Sequence, residues 1–413
     1  MVYVGLRIGV TAGLLALLPA GSAFASTHRA GSWALPEIRV VTGAGLMGTK
    51  SPATFHPTAK LTNQALANLV FDLQRLLAPP APAPPVAPPP VTTTTTTDTT
   101  QTTTDATDTT TTTDPTTTTD PATTDPVTTT VVEPAPAPAP APPAHAPKVP
   151  HGSAAATMTM LDAQLVDGVG LDAAASEFAR GARAAGLAVP DRFGNEVVAR
   201  LLGLRIDHPA AEDYLELLPD DPATRAEAAY SAAQLLHSSG WLVPVVQGLA
   251  DSFSLPQYST WQRRIIDTAV ARIGMPYVWG GTSDGHEVDF GVPARGGYDC
   301  SGFVWRVYKL TSYPGEGDLA SVLRGRTTYV MSGEVPHSEL IDFANLQPAD
   351  VIFFGAHGQR SSPAQVDHMG IYIGNGWFIH SSGYGVALAQ LSGWYRREFA
   401  WARRPLREAG LSG

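Results

Sequence analysis

Apolar positions fall at helical spacing early in the chain and alternate late in it. Between the two lies a stretch with almost none. Leu66, Leu69, Val70, Leu73 and Leu77 stand at i, i+3, i+4, i+7 and i+11. That spacing predicts one apolar helix face over 61–77, with Thr62 as its N-cap. Upstream, 36–41 begins a shorter helix that Gly45 breaks. The same plan returns in Ala184-Ala-Gly-Leu-Ala, in Phe193-Gly-Asn-Glu-Val-Val-Ala-Arg-Leu-Leu, and in 221–236, where Thr224 caps an Ala/Leu helix. A segment of ~50 residues with two helices cannot bury a good core alone. The recurring turn, cap and helix are therefore read as a repeat.

From residue 260 the pattern changes. Thr260 is expected to cap a helix that buries Ile265, Ala269 and Ile273 and ends at Gly274. Asp299-Cys300-Ser301-Gly302 opens another, with Phe303, Val307 and Leu310 as its buried stripe. Five strands follow, at 350–354, 368–373, 377–381, 386–391 and 399–404. Asn375-Gly376 between the second and third is a hairpin signal. Simple antiparallel pairing puts residues whose numbers sum to about 751 opposite one another. His368 then faces position 383, with His380 nearby on the partner strand.

Composition divides the chain further. Residues 79–150 are almost entirely Thr, Pro, Ala and Asp, too poor in apolar mass to offset the entropy of ordering, and read as a disordered linker. Residues 1–25 read as a secretory signal peptide: Arg7, an apolar run from Ile8 to Ala20, and Ala23-Phe24-Ala25 before the cleavage point. The expected divisions are 1–25, 26–78, 79–150, 151–250 and 251–413. The product is expected to be secreted, at the cell wall, with no membrane span in the mature chain. Formal net charge is −10, but 261–413 holds 14 Lys+Arg against 14 Asp+Glu, so the acidity lies upstream. Nucleic acid is not an expected partner.

One cysteine in 413 residues excludes an internal disulfide framework. Cys300 falls at a helix N-terminus, where free N–H groups and the dipole favour a thiolate. A nucleophile there needs a base and the base an orienter, and His368 with His380 can supply both. His286, His337 and His357 lack metal-ligand spacing and read as solvated loop residues. No metal and no cofactor is expected.

Together, 274–281 (Gly-Met-Pro-Tyr-Val-Trp-Gly-Gly), 299–304 (Asp-Cys-Ser-Gly-Phe-Val), 346–354, 368–374 (His-Met-Gly-Ile-Tyr-Ile-Gly) and 378–380 (Phe-Ile-His) resemble the NlpC/P60 cysteine peptidases. The resemblance implies a papain-like α+β catalytic domain that cleaves bacterial stem peptides, at the bond between D-glutamate and the diamino acid. It implies Cys300 as nucleophile, His368 as base, His380 as orienter and Tyr277 near the oxyanion. Asp299 and Ser301 fall at positions that hold the free amino end of the stem peptide. Residues 282–298 and 355–366 are longer than that pattern. Upstream, Trp33-Ala34, 45–48 (Gly-Leu-Met-Gly), 55–57 (Phe-His-Pro) and Thr224-Arg225-Ala226-Glu227 resemble S-layer homology repeats. That likeness implies binding of secondary cell-wall polysaccharide, with Arg225 and Trp33 as contacts. Two rival readings stand beside the endopeptidase: an amidase or acyltransferase on the same fold, and a non-catalytic wall-binding protein.

Overall fold

The computed structural model describes residues 32–48, 51–78, 146 and 148–411. The expected signal peptide, and the expected linker apart from 146 and 148–150, lie outside the described residues.

Six helices build the upstream part: α1 (Leu35–Gly43), α2 (Asn63–Leu77), α3 (Met158–Gly168), α4 (Asp172–Ala184), α5 (Phe193–Leu201) and α6 (Arg225–Asp251). Three of them start alike. The Thr62 hydroxyl accepts from the Ala65 N–H, Thr157 from Met160, and Thr224 from Glu227. Each cap satisfies one of a helix's first free donors. The caps meet in a closed cycle. Leu61 N–H donates to Ala223 O, Ala223 N–H to Ala156 O, and Ala156 N–H to Leu61 O, all at 2.8 Å. One step outward, Asn63, Met158 and Arg225 repeat the cycle, donating to Ala154, Asp221 and Ala59. Residues on either side of the long Thr/Pro stretch thus share one core. Leu61, Ala156 and Ala223 are fully buried, so every backbone polar group at this junction needs a partner, and the cycle provides it.

This region also buries charge. Arg200 lies between Glu196 at 2.6 Å and Asp162 at 3.2 Å, and Arg205 reaches Asp162 at 3.0 Å. A 3-10 turn, Ala210–Leu215, follows α5.

The C-terminal part opens with α7 (Thr260–Val270). Its N-cap is Ser259, in a capping box with Gln262, and not Thr260 as the sequence suggested. Two short hairpins occupy 282–298: β1 (Thr282–Ser283) pairs β4 (Gly297–Tyr298) around β2 (Glu287–Asp289) and β3 (Val292–Ala294). Then come α8 (Cys300–Trp305), a π-helical turn (Arg306–Leu310), α9 (Leu319–Val322) and α10 (Thr328–Ser332). Phe303 and Val307 are buried as expected, but Leu310 is 48% exposed. The π turn shifts the helical phase by about one residue and rotates Leu310 out of the stripe.

The sheet contains β5 (Val351–Gly355), β6 (Val366–Gly374), β7 (Trp377–Ser382), β8 (Gly385–Gln390) and β9 (Phe399–Arg403), with α11 (Gly393–Glu398) before β9 and α12 (Pro405–Glu408) after it. Its order is β8-β7-β6-β5-β9, antiparallel throughout. Helix α8 packs on β6 and β7. The β6–β7 register differs from the simple expectation. Gly374 pairs Trp377, summing to 751, but a bulge follows, and Tyr372 pairs Phe378 and Ile371 pairs Ile379, summing to 750. That one-residue shift reverses which side chains share a face. It places His380 across from Gly370, on the face of His368. Unbulged pairing would have set His380 against Ile371 on the other face.

Candidate active site

Cys300 is the first residue of α8, and Asp299 is its N-cap. The Cys300 thiol is half-buried and its hydrogen-bond partner is the Thr328 hydroxyl at 3.5 Å. Burial first, and the Asp299 charge second, push this thiol up to about 12. The expectation of a thiolate favoured by the helix N-terminus is thus reversed in the resting protein. Desolvation of the sulfur outweighs the field of a six-residue helix.

His368 and His380 form a direct pair, Nε2 to Nδ1 at 2.8 Å, with rings close to perpendicular. They are diagonal neighbours across β6 and β7. Gly370 makes the contact possible: a Cβ there would stand 3.1 Å from His380 Cβ and 2.8 Å from Ile379 O. Both rings are buried, and Phe354 stacks on His368. Burial lowers His368 to about 4. Burial, then the neighbouring His368, hold His380 well below the usual range. Two neutral imidazoles must share their protons in order. With Nε2–H of His368 donating to His380 Nδ1, Nε2–H of His380 faces the Tyr395 hydroxyl at 3.4 Å. That tautomer leaves His368 Nδ1 as the free base. Among the described residues no hydrogen bond joins Cys300 to His368.

Asp299 is enclosed by donors. Gly280 N–H, Gly302 N–H, the Ser301 hydroxyl and both terminal nitrogens of Arg326 bind it. Arg326 also reaches Ser301 Oγ and Gly280 O, each at 2.7 Å. Five donors exceed the roughly four lone-pair sites of a carboxylate. Asp299 and Ser301, expected to face a substrate amine, take part in a network that holds the start of α8. Tyr277 lines a small polar crevice with Arg205, Glu216, Glu227 and Tyr384.

Arg225 opens α6. It donates to Phe55 O at 2.8 Å and Met47 O at 3.2 Å and lies over the Phe55 ring. With Met47, Gly48, Asn68 and Asp72 it lines a cavity of about 320 Å³. Trp33, its expected companion, packs edge-on to buried His208 at 4.6 Å and against Tyr230. The structure does not bring the two together. His286, His337 and His357 are exposed, and the described residues hold no cluster of metal-ligating side chains.

Sequence reasoning missed Thr328, Arg326 and Tyr395. Their roles come from long-range packing that leaves no local period. Only Arg326-Thr327-Thr328, a cation beside two hydroxyls in a turn-rich stretch, offered a signal.

Residues 274–404 match the NlpC/P60 family, and the sequence matches identify an NlpC/P60-family domain there. The chain is 33% identical over 136 residues to Murein DD-endopeptidase MepH of Escherichia coli, covering 32% of this chain and 42% of that protein. It is 32% identical over 145 residues to a gamma-D-glutamyl-L-lysine dipeptidyl-peptidase of Bacillus cereus, covering 34% of this chain and 36% of that one. A solved NlpC/P60 family protein from Bacillus cereus is 28% identical with a TM-score of 0.27, covering 37% of this chain and 42% of that chain. In each case the chain spans less than half of the relative's length. No helix among the described residues is long and apolar enough to cross a membrane.

Proposed function

We propose that this chain is a secreted cell-wall hydrolase whose NlpC/P60 domain is a cysteine endopeptidase of peptidoglycan stem peptides. The observation that carries it is the buried His368–His380 pair on the sheet against which the Cys300 helix packs. In the first half-reaction the Cys300 sulfur attacks the scissile carbonyl carbon and its proton passes to His368 Nδ1. The Cys300 backbone N–H, free by its place in the first helical turn, stabilises the oxyanion together with the Tyr277 hydroxyl. The carbon–nitrogen bond breaks, His368 protonates the leaving amine, and a thioester remains. Water then gives a proton to His368, its oxygen attacks the thioester carbon, and the carbon–sulfur bond breaks as His368 returns that proton to the Cys300 sulfur. His380 holds the imidazole in its working tautomer.

The bond assigned is that between D-glutamate and the diamino acid. The saturation of Asp299 by Arg326 favours cutting within a longer peptide over reading a free amino end. Clearing of a purified wall suspension by the full chain tests the proposal. Cys300→Ala and stoichiometric iodoacetamide should each stop clearing, and a chelator should not. Clearing by the Cys300→Ala protein would refute it.

A second reading concerns the upstream helices as a binder of secondary cell-wall polysaccharide. It is favoured by the three-membered cycle of Thr-capped helices and by Arg225, which meets two backbone carbonyls and no carboxylate among the described residues. A guanidinium so placed suits an anionic group on a wall polymer. Sedimentation of the full-length Cys300→Ala protein with walls, before and after polysaccharide is stripped, tests it.

A further inference from the structure

Tyr277 sits on the irregular segment 274–281 between α7 and β1. The catalytic part holds one side of that segment. Gly274 N–H donates to Val386 O at 3.0 Å, Val386 N–H to Met275 O at 2.8 Å, and Tyr298 N–H to Pro276 O at 3.1 Å. The upstream helices hold the other side. Arg200 Nη2 donates to Gly274 O at 2.6 Å, and Arg192 donates to Ala271 O at 2.8 Å and to Ile273 O at 3.3 Å. At the far end, the Trp279 N–H donates to the Asp213 carboxylate at 3.0 Å. The fit is close: Gly274 has φ +99°, and a Cβ there would lie 2.8 Å from Glu196 Cδ.

The grip continues toward the nucleophile. Next to Trp279, the Gly280 N–H donates to Asp299, the N-cap of the Cys300 helix. The 3-10 turn that carries Asp213 also packs on β3, inside the long loop at 282–298. Asp221 approaches Arg295 of that loop at 3.7 Å. The upstream helices therefore touch the segment that presents Tyr277, the cap of Cys300 at one remove, and the loop beside both.

We infer that the upstream helical region is a working part of the catalytic centre, with Asp213, Arg192 and Arg200 as positioning residues that set the 274–281 segment. The inference rests on the peptidase function proposed above. Sub-ångström placement matters here because a displacement of about 1 Å in a catalytic group can cost ~100-fold in rate.

The test uses full-length Asp213→Ala, Asp213→Asn and Arg192→Ala proteins beside the wild type. Asp213→Ala should lower kcat by about tenfold or more with KM little changed. Asn keeps a carbonyl acceptor for the Trp279 N–H and should restore most of the rate. Arg192→Ala should fall between. Hydrogen exchange read by mass spectrometry should quicken by about tenfold across 274–281 in Asp213→Ala, and not across β6 and β7. Unchanged exchange at 274–281 would overturn the inference. So would faster exchange with unchanged kcat, or a loss of rate that only follows the unfolded fraction. A wild type that cleaves no stem peptide would instead defeat the peptidase proposal, and exchange would still decide whether the anchor holds.

Discussion

The two halves of this molecule both bury ion pairs, in the C-terminal half Arg403 with Glu334 at 2.7 Å, but differ in what else they bury. The upstream helices bury ionisable side chains in pairs: Arg200 with Glu196 and Asp162, Arg205 with Asp162, and His208 with Glu216 at 2.8 Å. The C-terminal sheet also buries His368 and His380 against each other as neutral rings. Paired charges lock a geometry, because separating them strands an ion in apolar surroundings. Neutral rings in a row leave a proton free to move. The lesson is a division of labour: ion pairs in both regions hold the geometry around the neutral pair.

Two buried groups, one from each region, titrate in opposite directions. Glu227 is raised by burial to about 7. Its contribution to stability is present below the ordinary carboxylate range and is lost as pH rises from ~4.5 through about 7. His368 is lowered to about 4. Its contribution is present above ~6.5 and is lost as pH falls toward 4.

The largest expected effect is on chemistry. Cys300→Ala should lower stem-peptide turnover by ~10⁴-fold or more, leaving the far-ultraviolet dichroism unchanged. Breaking the charged region comes next. Arg200→Met leaves Glu196 buried without its cation and Asp162 with Arg205 alone, and should cost about 3–5 kcal/mol in chemical denaturation. Within the neutral pair, His368→Ala removes the base, whereas His380→Gln keeps a hydrogen-bond partner for it. The first should lose more rate, by about tenfold, in single-turnover assays. A greater loss for His380→Gln would reverse the two roles.

Much of this was legible in the sequence. The Thr62 and Thr224 caps, the five strands and Cys300 at a helix start all rest on local patterns, and the structure agrees with them. What local patterns could not carry is phase. The bulge near Gly374 decides whether His368 and His380 share a face, and it arises from how the hairpin turn meets the twisted sheet. The π turn after α8 likewise moved Leu310 to the surface. Nor could spacing show that Arg326 closes over Asp299, since 27 residues separate them. Thiol acidity was misjudged for a related reason: helix position is visible in a sequence, and depth of burial is not.

Smaller effects sharpen the contrast. Glu227→Gln should match wild-type stability near pH 5. Above pH 7 it should gain by roughly 2–4 °C in Tm, because wild type then carries a buried charge. A Tm difference that does not change with pH would place Glu227 outside the titrating network. Smallest, Arg225→Ala should weaken sedimentation with walls by several-fold, and added salt should do the same to the parent protein.

The most direct measurement is mass spectrometry of defined cross-linked muropeptides after incubation with the full chain and with its Cys300→Ala variant. The wild type should yield new fragments ending at the D-glutamyl carboxylate and beginning at the diamino acid, and the variant none. Intact substrate with both proteins, or the same fragments from both, would contradict a Cys300 endopeptidase.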